Sequence, residues 1–221
     1  MHDPIKTYYH NHATEYGVSS TRQRAMLSLF DTIVGAHVLD IGCANGIFGS
    51  VLKQKGADVV HGVDISPRAI DIARGALDGA WVRDIEREEL PSEITSRHYD
   101  VIVCAEILEH LFDPAAVIKQ LSSLLNPRGV MIITTPNFLL WTHRVRLLLG
   151  QFQYSNHGYC DRGHIHFFSY QELLHTVESS AMRLIAQNNI YHPNWLQPIG
   201  PLRPSLFAFQ FIWKIAPPTI P

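Results

Sequence analysis

Along the chain, short apolar runs alternate with longer amphipathic stretches. Five short runs rich in branched apolar residues predict strands at 38–41, 59–64, 81–84, 99–105 and 130–134. Amphipathic stretches between them predict helices at about 20–31, 47–54, 67–73 and 114–125. Because strands alternate with helices, the pattern predicts an α/β fold around a parallel sheet with right-handed crossovers.

The pattern changes after Pro136, and the rest of the chain predicts a cap and a last group of strands. Residues 137–168 are predicted to form a small cap, and Ser169 is predicted to cap a helix over 170–179. Residues 182–191 predict one or two strands. The proline-rich tail, 192–221, contains an apolar run at 206–213 that fits a sheet edge, a dimer contact or an interfacial anchor, and we favour docking or a dimer. Residues 1–18 are predicted to be irregular, within a single domain over 1–221.

Carboxylates follow the first four predicted strands at the same relative position. In an open parallel sheet the ligand binds at the carboxyl ends of the strands, so these acids are expected to meet at one rim. A glycine turn, Gly42 to Gly46, follows the first strand and lets the backbone approach a ligand closely. A tight turn without a ligand is the alternative, and Asp64, about 20 residues on, argues against it. The four acids are Asp40, Asp64, Asp84 and Glu106.

The spacing Asp40-x-Gly42-x-Ala44-x-Gly46 differs from a dinucleotide fingerprint and resembles the first motif of class I S-adenosylmethionine (SAM) methyltransferases. The resemblance extends over roughly 38–133. It implies a Rossmann-like, seven-stranded, mostly parallel sheet with helices on both faces and the last strand antiparallel. Ala44 departs from the glycine common in that family and is expected to be tolerated. The implied cofactor-binding residues are Asp40, Gly42, Cys43, Gly46, Asp64, Ile65, Asp84, Ile85 and Ala105.

Within that implied site each acid has its own expected task. Asp40 is expected to orient the amides of the turn and to attract the ammonium group of SAM. Asp64 is expected to accept hydrogen bonds from both ribose hydroxyls. Asp84 is expected to meet the adenine amino group, although a solvated loop acid is the alternative for this residue. Ile65 is expected to pack on the adenine.

A second cluster of polar residues, Glu106-Ile-Leu-Glu109-His110, follows the fourth strand. If a helical turn begins there, all three polar side chains share one face. This string, with His164 from the predicted cap, resembles ubiquinone-type O-methyltransferases and small-RNA 2'-O-methyltransferases. The resemblance implies catalytic or metal-ligating roles for Glu106, Glu109, His110 and His164, with Mg²⁺ or Mn²⁺ as the ion. A hydrogen-bonded pocket wall or a metal-free general base is the alternative, and we favour it over the ion.

The cap segment has a narrower resemblance, from Pro136 through the Asp161-Arg-Gly-His164-Ile-His166 string. It resembles bacterial methyltransferases of polysaccharide and glycolipid assembly, and also accessory proteins of methionine biosynthesis that assist an acyltransferase. Trp141, Leu147, Leu148 and two arginines fit either an acceptor pocket or a solvated cap helix. A structural zinc site needs four nitrogen or sulfur ligands, and it is disfavoured here because Cys160 is the only cysteine near His157, His164 and His166. Because His164 and His166 alternate as on a strand, one of them, and not both, is expected to point into the cleft.

Composition narrows the expected function further. A net charge of -2 argues against a polynucleotide substrate, which disfavours the alternative of a metal-dependent RNA-end methyltransferase. Three cysteines indicate a reducing compartment, and neither a signal peptide nor an apolar run of membrane-spanning length is predicted, so we expect a cytoplasmic protein. The sequence therefore predicts a SAM-dependent methyltransferase acting on a hydroxyl, less readily an amine, of a small-molecule, glycan or lipid-linked acceptor. The accessory protein remains the alternative, and a homodimer is possible.

Overall fold

A single mixed sheet is the centre of the fold, in a computed structural model that describes residues 20–155 and 160–218. The strand order is β3-β2-β1-β4-β5-β8-β6, with the short β7 paired to β8 as well. Strands β1 to β5 run parallel, as predicted. The strands are β1 His37–Ile41, β2 Val59–Asp64, β3 Gly79–Val82, β4 Tyr99–Ala105, β5 Leu125–Pro136, β6 Arg183–Gln187, β7 Ile190–Tyr191 and β8 Ala208–Ala216.

The last strand, β8, is antiparallel, which confirms the expectation from the family resemblance. It pairs with β5 on one side and with both β6 and β7 on the other. Since β6 and β7 follow one another along the same side of β8, the eight strands occupy seven positions. The prediction of one or two strands at 182–191 is thereby confirmed.

The favoured interpretation of the apolar run at 206–213, a docking or dimer contact, was wrong. The run predicted as a docking or dimer contact forms the interior strand β8. Phe211 and Trp213 are completely buried, where they pack with Tyr170. Burial of such large aromatic side chains contributes strongly to the stability of a core. The neighbouring strands form hydrogen bonds with the backbone groups that would be unpaired at a sheet edge.

Helices cover both faces of the sheet. Helices α1 to α3 contribute Met26, Phe48 and Ile70 to one core, and α4, α5 and α7 contribute Ile94, Ile118 and Leu173 to the other. Ser66 and Ser169 accept hydrogen bonds at helix starts, as predicted for Ser169. The helices are α1 Ser20–Leu27, α2 Ile47–Gln54, α3 Pro67–Ala73, α4 Ser92–Thr95, α5 Pro114–Ser122, α6 Trp141–Leu148, α7 Tyr170–Ser179 and α8 Pro204–Phe207.

Two boundaries differ from the sequence prediction. Helix α1 ends at Leu27 instead of continuing to about Asp31. Strand β5 begins at Leu125, before the predicted start, because the segment 126–129 is accommodated as a register shift opposite Tyr99 and Val101. Among the described residues, no helix is both long enough and apolar enough to cross a membrane. The predicted irregular segment 1–18, and His157, lie outside the described residues.

Candidate active site

A cavity of about 420 Å³ opens at the carboxyl ends of β1, β2 and β4. The four strand-end acids all line it, as the topology predicted, and so do the cap residues Asp161 and His164. Gly46 is the one predicted site residue that does not line the cavity. A Cβ on Gly46 would lie 3.2 Å from Ala73, so this glycine allows α2 to pack closely against α3. The predicted residues in the lining are Asp40, Gly42, Cys43, Asp64, Ile65, Asp84, Ile85, Ala105, Glu106, Glu109, His110 and His164.

The turn after β1 is held by the neighbouring strand β2. The amides of Gly42 and Cys43 donate to the Val63 carbonyl at 2.8 and 3.1 Å. Gly42 has φ of +73°, which favours glycine, and a Cβ there would also require the Ile107 Cδ1 atom, 2.9 Å away, to shift. Ala44 also has positive φ, +46°, which is a strained conformation for alanine. The Val63 carbonyl thus accepts the hydrogen bonds of these two amides, and the role expected for Asp40 in orienting the turn stays a prediction.

Asp64 fixes the far side of the same turn. Its Oδ2 accepts the Ala44 amide at 2.9 Å, and its Oδ1 accepts the Ser66 amide at 2.8 Å. Burial raises the pKa of Asp64, and these backbone amides oppose the rise. Each carboxylate oxygen has a second lone pair, so the group can still accept hydrogen bonds from a diol in the cavity.

Asp40 is almost fully buried beneath the turn. Burial, together with the nearby carboxylate of Asp64, raises the pKa of Asp40 to about 7. A cation entering the cavity would favour the ionised form of this acid. The position of Asp40 is thus suited to sensing positive charge.

Asp84 lines the cavity, and its side chain also stabilises the loop that follows it. Its Oδ1 accepts the Glu86 amide at 3.1 Å, and Arg87 Nε lies 3.9 Å from Oδ2. Ile85, beside it, is buried in the core that lies under the cavity. Asp84 is mostly buried, so the structure does not favour the alternative of a solvated loop acid.

Glu106 does not share a helical face with Glu109 and His110, which corrects the spacing argument. It has φ of +57°, and the 3₁₀ turn begins only at Leu108. Its Oε1 accepts the Thr134 hydroxyl at 2.8 Å, and its Oε2 lies 3.7 Å from Arg22 Nη2. Non-glycine residues held at positive φ concentrate at functional sites, and here the strain turns the carboxylate toward β5 and α1.

Three of the four predicted catalytic or metal-ligating residues do meet. Glu109, His110 and His164 each offer a ligand atom, and these atoms lie within 4.8 Å of one another. The rings of His110 and His164 are 4.8 Å apart, and His164 Nε2 lies 3.9 Å from Glu109 Oε1. In the part of the chain that the structure describes, this is the one such group of three or more.

The protonation of His110 follows from its neighbours. Its Nδ1 lies 3.0 Å from the Gly163 carbonyl, which can only accept, so Nδ1 carries the proton. Burial lowers the pKa of His110, opposed by that carbonyl and by nearby acids, and the ring is therefore neutral near pH 7. Nε2 consequently presents a lone pair, suited either to accept a proton or to bind an ion.

Glu109 is the least satisfied polar group of the site. It is 1% exposed, and neither carboxylate oxygen has a hydrogen-bond partner. Burial first, and the Glu106 carboxylate second, raise the pKa of Glu109 well above its usual value. Thr135 lies near enough to oppose this rise, but its hydroxyl is also buried without a partner in hydrogen-bond geometry. A buried polar group without a hydrogen bond costs about 1–3 kcal/mol, so Glu109 is a candidate functional group.

Three of the cavity residues that the sequence analysis did not predict come from elements that are distant along the chain. Arg22 comes from α1, and Phe209 and Gln210 come from the start of β8. No local motif marks them, because they reach the rim only when α1 and the antiparallel strand pack beside β5. Gln210 lies opposite Pro136 in the β5–β8 pairing, at the end of the cavity near Glu106.

The cap helix α6 does not line the cavity. Trp141, Leu147 and Leu148 are exposed, so the structure favours the solvated-helix alternative for them. Cys160 Sγ lies 3.4 Å from His143 Nε2, inside the cap. His166 Nε2 approaches the Phe112 carbonyl at 3.2 Å, so of the two alternating histidines only His164 reaches the cavity, as predicted.

Comparisons with known proteins agree with this fold. A family model described as a methyltransferase domain matches residues 10–185. A ubiquinone biosynthesis O-methyltransferase of Coxiella burnetii is 30% identical over 166 residues, which cover 73% of this chain and 70% of that protein. The chain also matches a magnesium protoporphyrin IX methyltransferase from Synechocystis PCC 6803, solved with bound SAH (TM-score 0.66, 15% identity, 96% and 98% of the chains). The CcbJ methyltransferase from Streptomyces caelestis has the same fold (TM-score 0.65, 15% identity, 97% and 99%).

Proposed function

This chain belongs to the class I SAM-dependent methyltransferases, and we propose that it methylates a hydroxyl group of a small-molecule, glycan or lipid-linked acceptor. The observation that carries the proposal is the single cavity shared by Asp64 and by the Glu109, His110 and His164 group. One end has the hydrogen-bonding groups that a ribose requires. The other end has a neutral imidazole that can remove a proton from an attacking hydroxyl.

At the cofactor end, SAM supplies a methyl group already activated by its sulfonium charge. Asp64 would accept the ribose hydroxyls through its remaining lone pairs, and Asp84 would face the adenine amino group. Ile65 and Ile85 would pack on the adenine ring. The buried Asp40 would attract the positive charge of SAM electrostatically. The residue set supports SAM because each polar group required is in the cavity lining.

At the acceptor end, His110 Nε2 would take the proton from the acceptor hydroxyl as the methyl is transferred. Its Nδ1–H bond to the Gly163 carbonyl fixes the ring and stabilises the charge that forms. Arg22 lies beside Glu106 at this end, where a guanidinium suits an anionic group on cofactor or acceptor. The rest of catalysis would be alignment of the hydroxyl and exclusion of water.

A divalent ion at the same three residues is the second candidate, and the Glu109 carboxyl group, which has no hydrogen bond, favours it. One carboxylate and two imidazoles are a common ligand set for a divalent ion with open positions. The two imidazoles would favour Mn²⁺ over Mg²⁺, which prefers oxygen ligands. Glu106, turned toward Thr134 and Arg22, is not part of this set. The ion would polarise the acceptor hydroxyl and lower its pKa.

The deciding experiment is SAM turnover by the purified protein against a panel of hydroxylated metabolites and glycans, before and after exhaustive chelation. Turnover that survives chelation supports the general base, and loss restored by Mn²⁺ supports the ion. SAM binding without turnover of any acceptor, together with recovery of an acyltransferase as a bound partner, would favour the accessory protein instead. A homodimer would be tested in the same preparation by light scattering.

A further inference from the structure

Asp161 is a buried acid of the cavity lining that takes no part in the proposed cofactor binding or proton transfer. It is 3% exposed and lies in the segment of the cap that returns to the cavity. Polar groups at such depth are kept where hydrogen bonds satisfy them. The hydrogen bonds that Asp161 accepts therefore indicate what it does.

The Asp161 side chain closes a tight turn in this returning segment. Its Oδ1 accepts the Gly163 amide at 2.7 Å, which is an Asx turn, in which a side chain takes the place of a backbone acceptor. The backbone carbonyl of Asp161 accepts the His164 amide at 3.1 Å. One residue thus holds two successive amides, the first through its side chain and the second through its backbone.

These two hydrogen bonds determine the direction of the Gly163 carbonyl. The Gly163 carbonyl and the His164 amide belong to one planar peptide group, in which they point in opposite directions. Glycine has the least restricted backbone of all residues, so this peptide would turn readily if nothing held it. The bond from the Gly163 amide to Asp161 Oδ1 restrains one end of that glycine, and the bond of the His164 amide restrains the other.

Both imidazoles of the acceptor end depend on this peptide. Its carbonyl accepts the Nδ1–H of His110 at 3.0 Å, and its amide belongs to His164, whose ring lies 4.8 Å from that of His110. The next two amides of the cap, from Ile165 and His166, donate to the Glu109 carbonyl. They hold the segment in place, but they lie beyond the peptide that contacts His110.

We propose that Asp161 is a positioning residue, whose side chain holds the Gly163–His164 peptide so that His110 keeps its proton on Nδ1 and presents Nε2 to the acceptor. Loss of a partner that orients a reacting side chain in this way commonly costs 10–100-fold in activity. The consequence for catalysis rests on the proposed function, whereas the position of the proton is a property of the folded chain alone.

The alternative is that Asp161 acts through its charge. Burial lowers the pKa of His110, and the Gly163 carbonyl and the Asp161 carboxylate oppose this shift. Two substitutions separate the turn from the charge. Asp161→Asn removes the charge and keeps an oxygen that can form the same turn. Asp161→Glu keeps the charge on a side chain that is longer by one methylene, which moves the acceptor out of the turn.

Two further variants complete the series. Asp161→Ala removes both the turn and the charge, and it replaces Asp161→Glu if the longer side chain prevents folding. Thr32→Ala is the matched control, because it removes a comparable bond, from the Val34 amide to the Thr32 hydroxyl at 3.3 Å, at an exposed position outside the cavity lining. Urea unfolding and SAM titration of every variant report the fold and the cofactor end.

The first readout is the imidazole nitrogen NMR spectrum of the chelator-treated protein at about pH 8, where a neutral ring is expected. The His110 signal, identified by its absence in His110→Gln, should show the proton on Nδ1 in the wild type, Thr32→Ala and Asp161→Asn. Asp161→Glu and Asp161→Ala should show a mixture of the two tautomers. Turnover should fall about 10–100-fold in these last two and at most about threefold in Asp161→Asn, with the affinity for SAM within about twofold throughout.

A wild-type tautomer in Asp161→Glu and Asp161→Ala would overturn the proposal, whatever their turnover. A defined tautomer in Asp161→Glu that is lost in Asp161→Asn would assign the effect to the charge and equally overturn it. Parallel losses of turnover, SAM affinity and unfolding stability in Asp161→Ala would reveal a purely structural role. If the wild type methylates no acceptor, the proposed function fails, and the tautomers still decide the role of Asp161.

Discussion

Asp64 and Glu109 are both acidic residues at the rim of one cavity, yet Asp64 accepts hydrogen bonds through both oxygens and Glu109 accepts none. Two backbone amides, from Ala44 and Ser66, hold Asp64 in place. Both oxygens of Glu109 are buried with no hydrogen bond. On the proposed function, the protein itself preorganises the cofactor end, whereas a proton, an ion or a substrate would complete the acceptor end.

The largest effect that separates the two ends is expected from His110→Ala. Loss of a general base or of an ion ligand should reduce turnover about 10²–10⁴-fold, while the affinity for SAM changes little. Because burial lowers the pKa of His110, the acid limb of the wild-type rate should lie below pH 6.5, the ordinary histidine value. Steady-state kinetics across pH, with SAM titration in parallel, measures both.

Equal losses of turnover and of SAM affinity in His110→Ala would remove the distinction between the two ends. His166→Ala is the matched control, since that ring reaches the Phe112 carbonyl and does not line the cavity. It should retain most of the activity.

Glu109→Gln tests whether the buried carboxyl group, which has no hydrogen bond, destabilises the folded protein. The folded-state pKa of Glu109 lies above the unfolded value of 4.5, so the unfolding free energy should fall as the pH rises above that value. The glutamine variant lacks this fall and should be more stable above neutral pH by about 1–3 kcal/mol. Urea unfolding at a series of pH values measures the difference.

Glu106→Gln tests the second cause of the raised pKa of Glu109, because it removes the neighbouring carboxylate charge. It should recover a part, smaller than that recovered by Glu109→Gln, of the stability lost at alkaline pH, since burial is the larger cause. If Mn²⁺ restores the alkaline stability of the wild type but not of Glu109→Gln, the second candidate is supported. A glutamine variant that is less stable than the wild type at every pH would contradict the account of Glu109.

A smaller effect is expected at the cofactor end, where Asp40 should make the affinity for SAM depend on pH. With a pKa of about 7, this acid is partly protonated at neutral pH, and a cationic ligand favours its ionised form. SAM affinity should therefore fall as the pH drops below 7, by at most about tenfold per pH unit, with proton release on binding. Calorimetry in two buffers of different ionisation enthalpy detects the proton, and Asp40→Asn should abolish both trends. A pH-independent affinity in the wild type would refute the role.

The smallest effect is expected from Ala44→Gly. Relief of the positive φ of +46° gains about 1–2 kcal/mol, and the greater freedom of glycine in the unfolded chain returns about 0.4–1 kcal/mol of it. The net expectation is a stabilisation of about 0.5–1 kcal/mol, measured by urea unfolding. Ala73→Gly, in a helix, is the opposite control and should destabilise. Destabilisation by Ala44→Gly would show that the turn is held in another way.

The contrast between the cofactor end and the acceptor end also explains which parts of the site the sequence could predict. The turn at Gly42 and the acids Asp40 and Asp64 lie within one strand–helix–strand unit, where local spacing determines which groups meet. The position of Glu106 could not be read from i, i+3, i+4 spacing, because contacts with Thr134 on β5 set its backbone at positive φ. Arg22 and Gln210 reach the cavity only through packing of distant elements. The tail was misjudged because its aromatic run looks alike on a surface and in an interior strand.

The most direct test of the central claim is calorimetric titration of SAM into the wild type, Asp64→Ala and His110→Ala, with NAD as a competing ligand. The account predicts binding by the wild type, retained binding in His110→Ala, and a loss of about 10–100-fold in Asp64→Ala, because a hydrogen bond to a charged group contributes about 1.5–3 kcal/mol. No binding of SAM by the wild type, preferential binding of NAD, or equal affinities for SAM in all three proteins would contradict it.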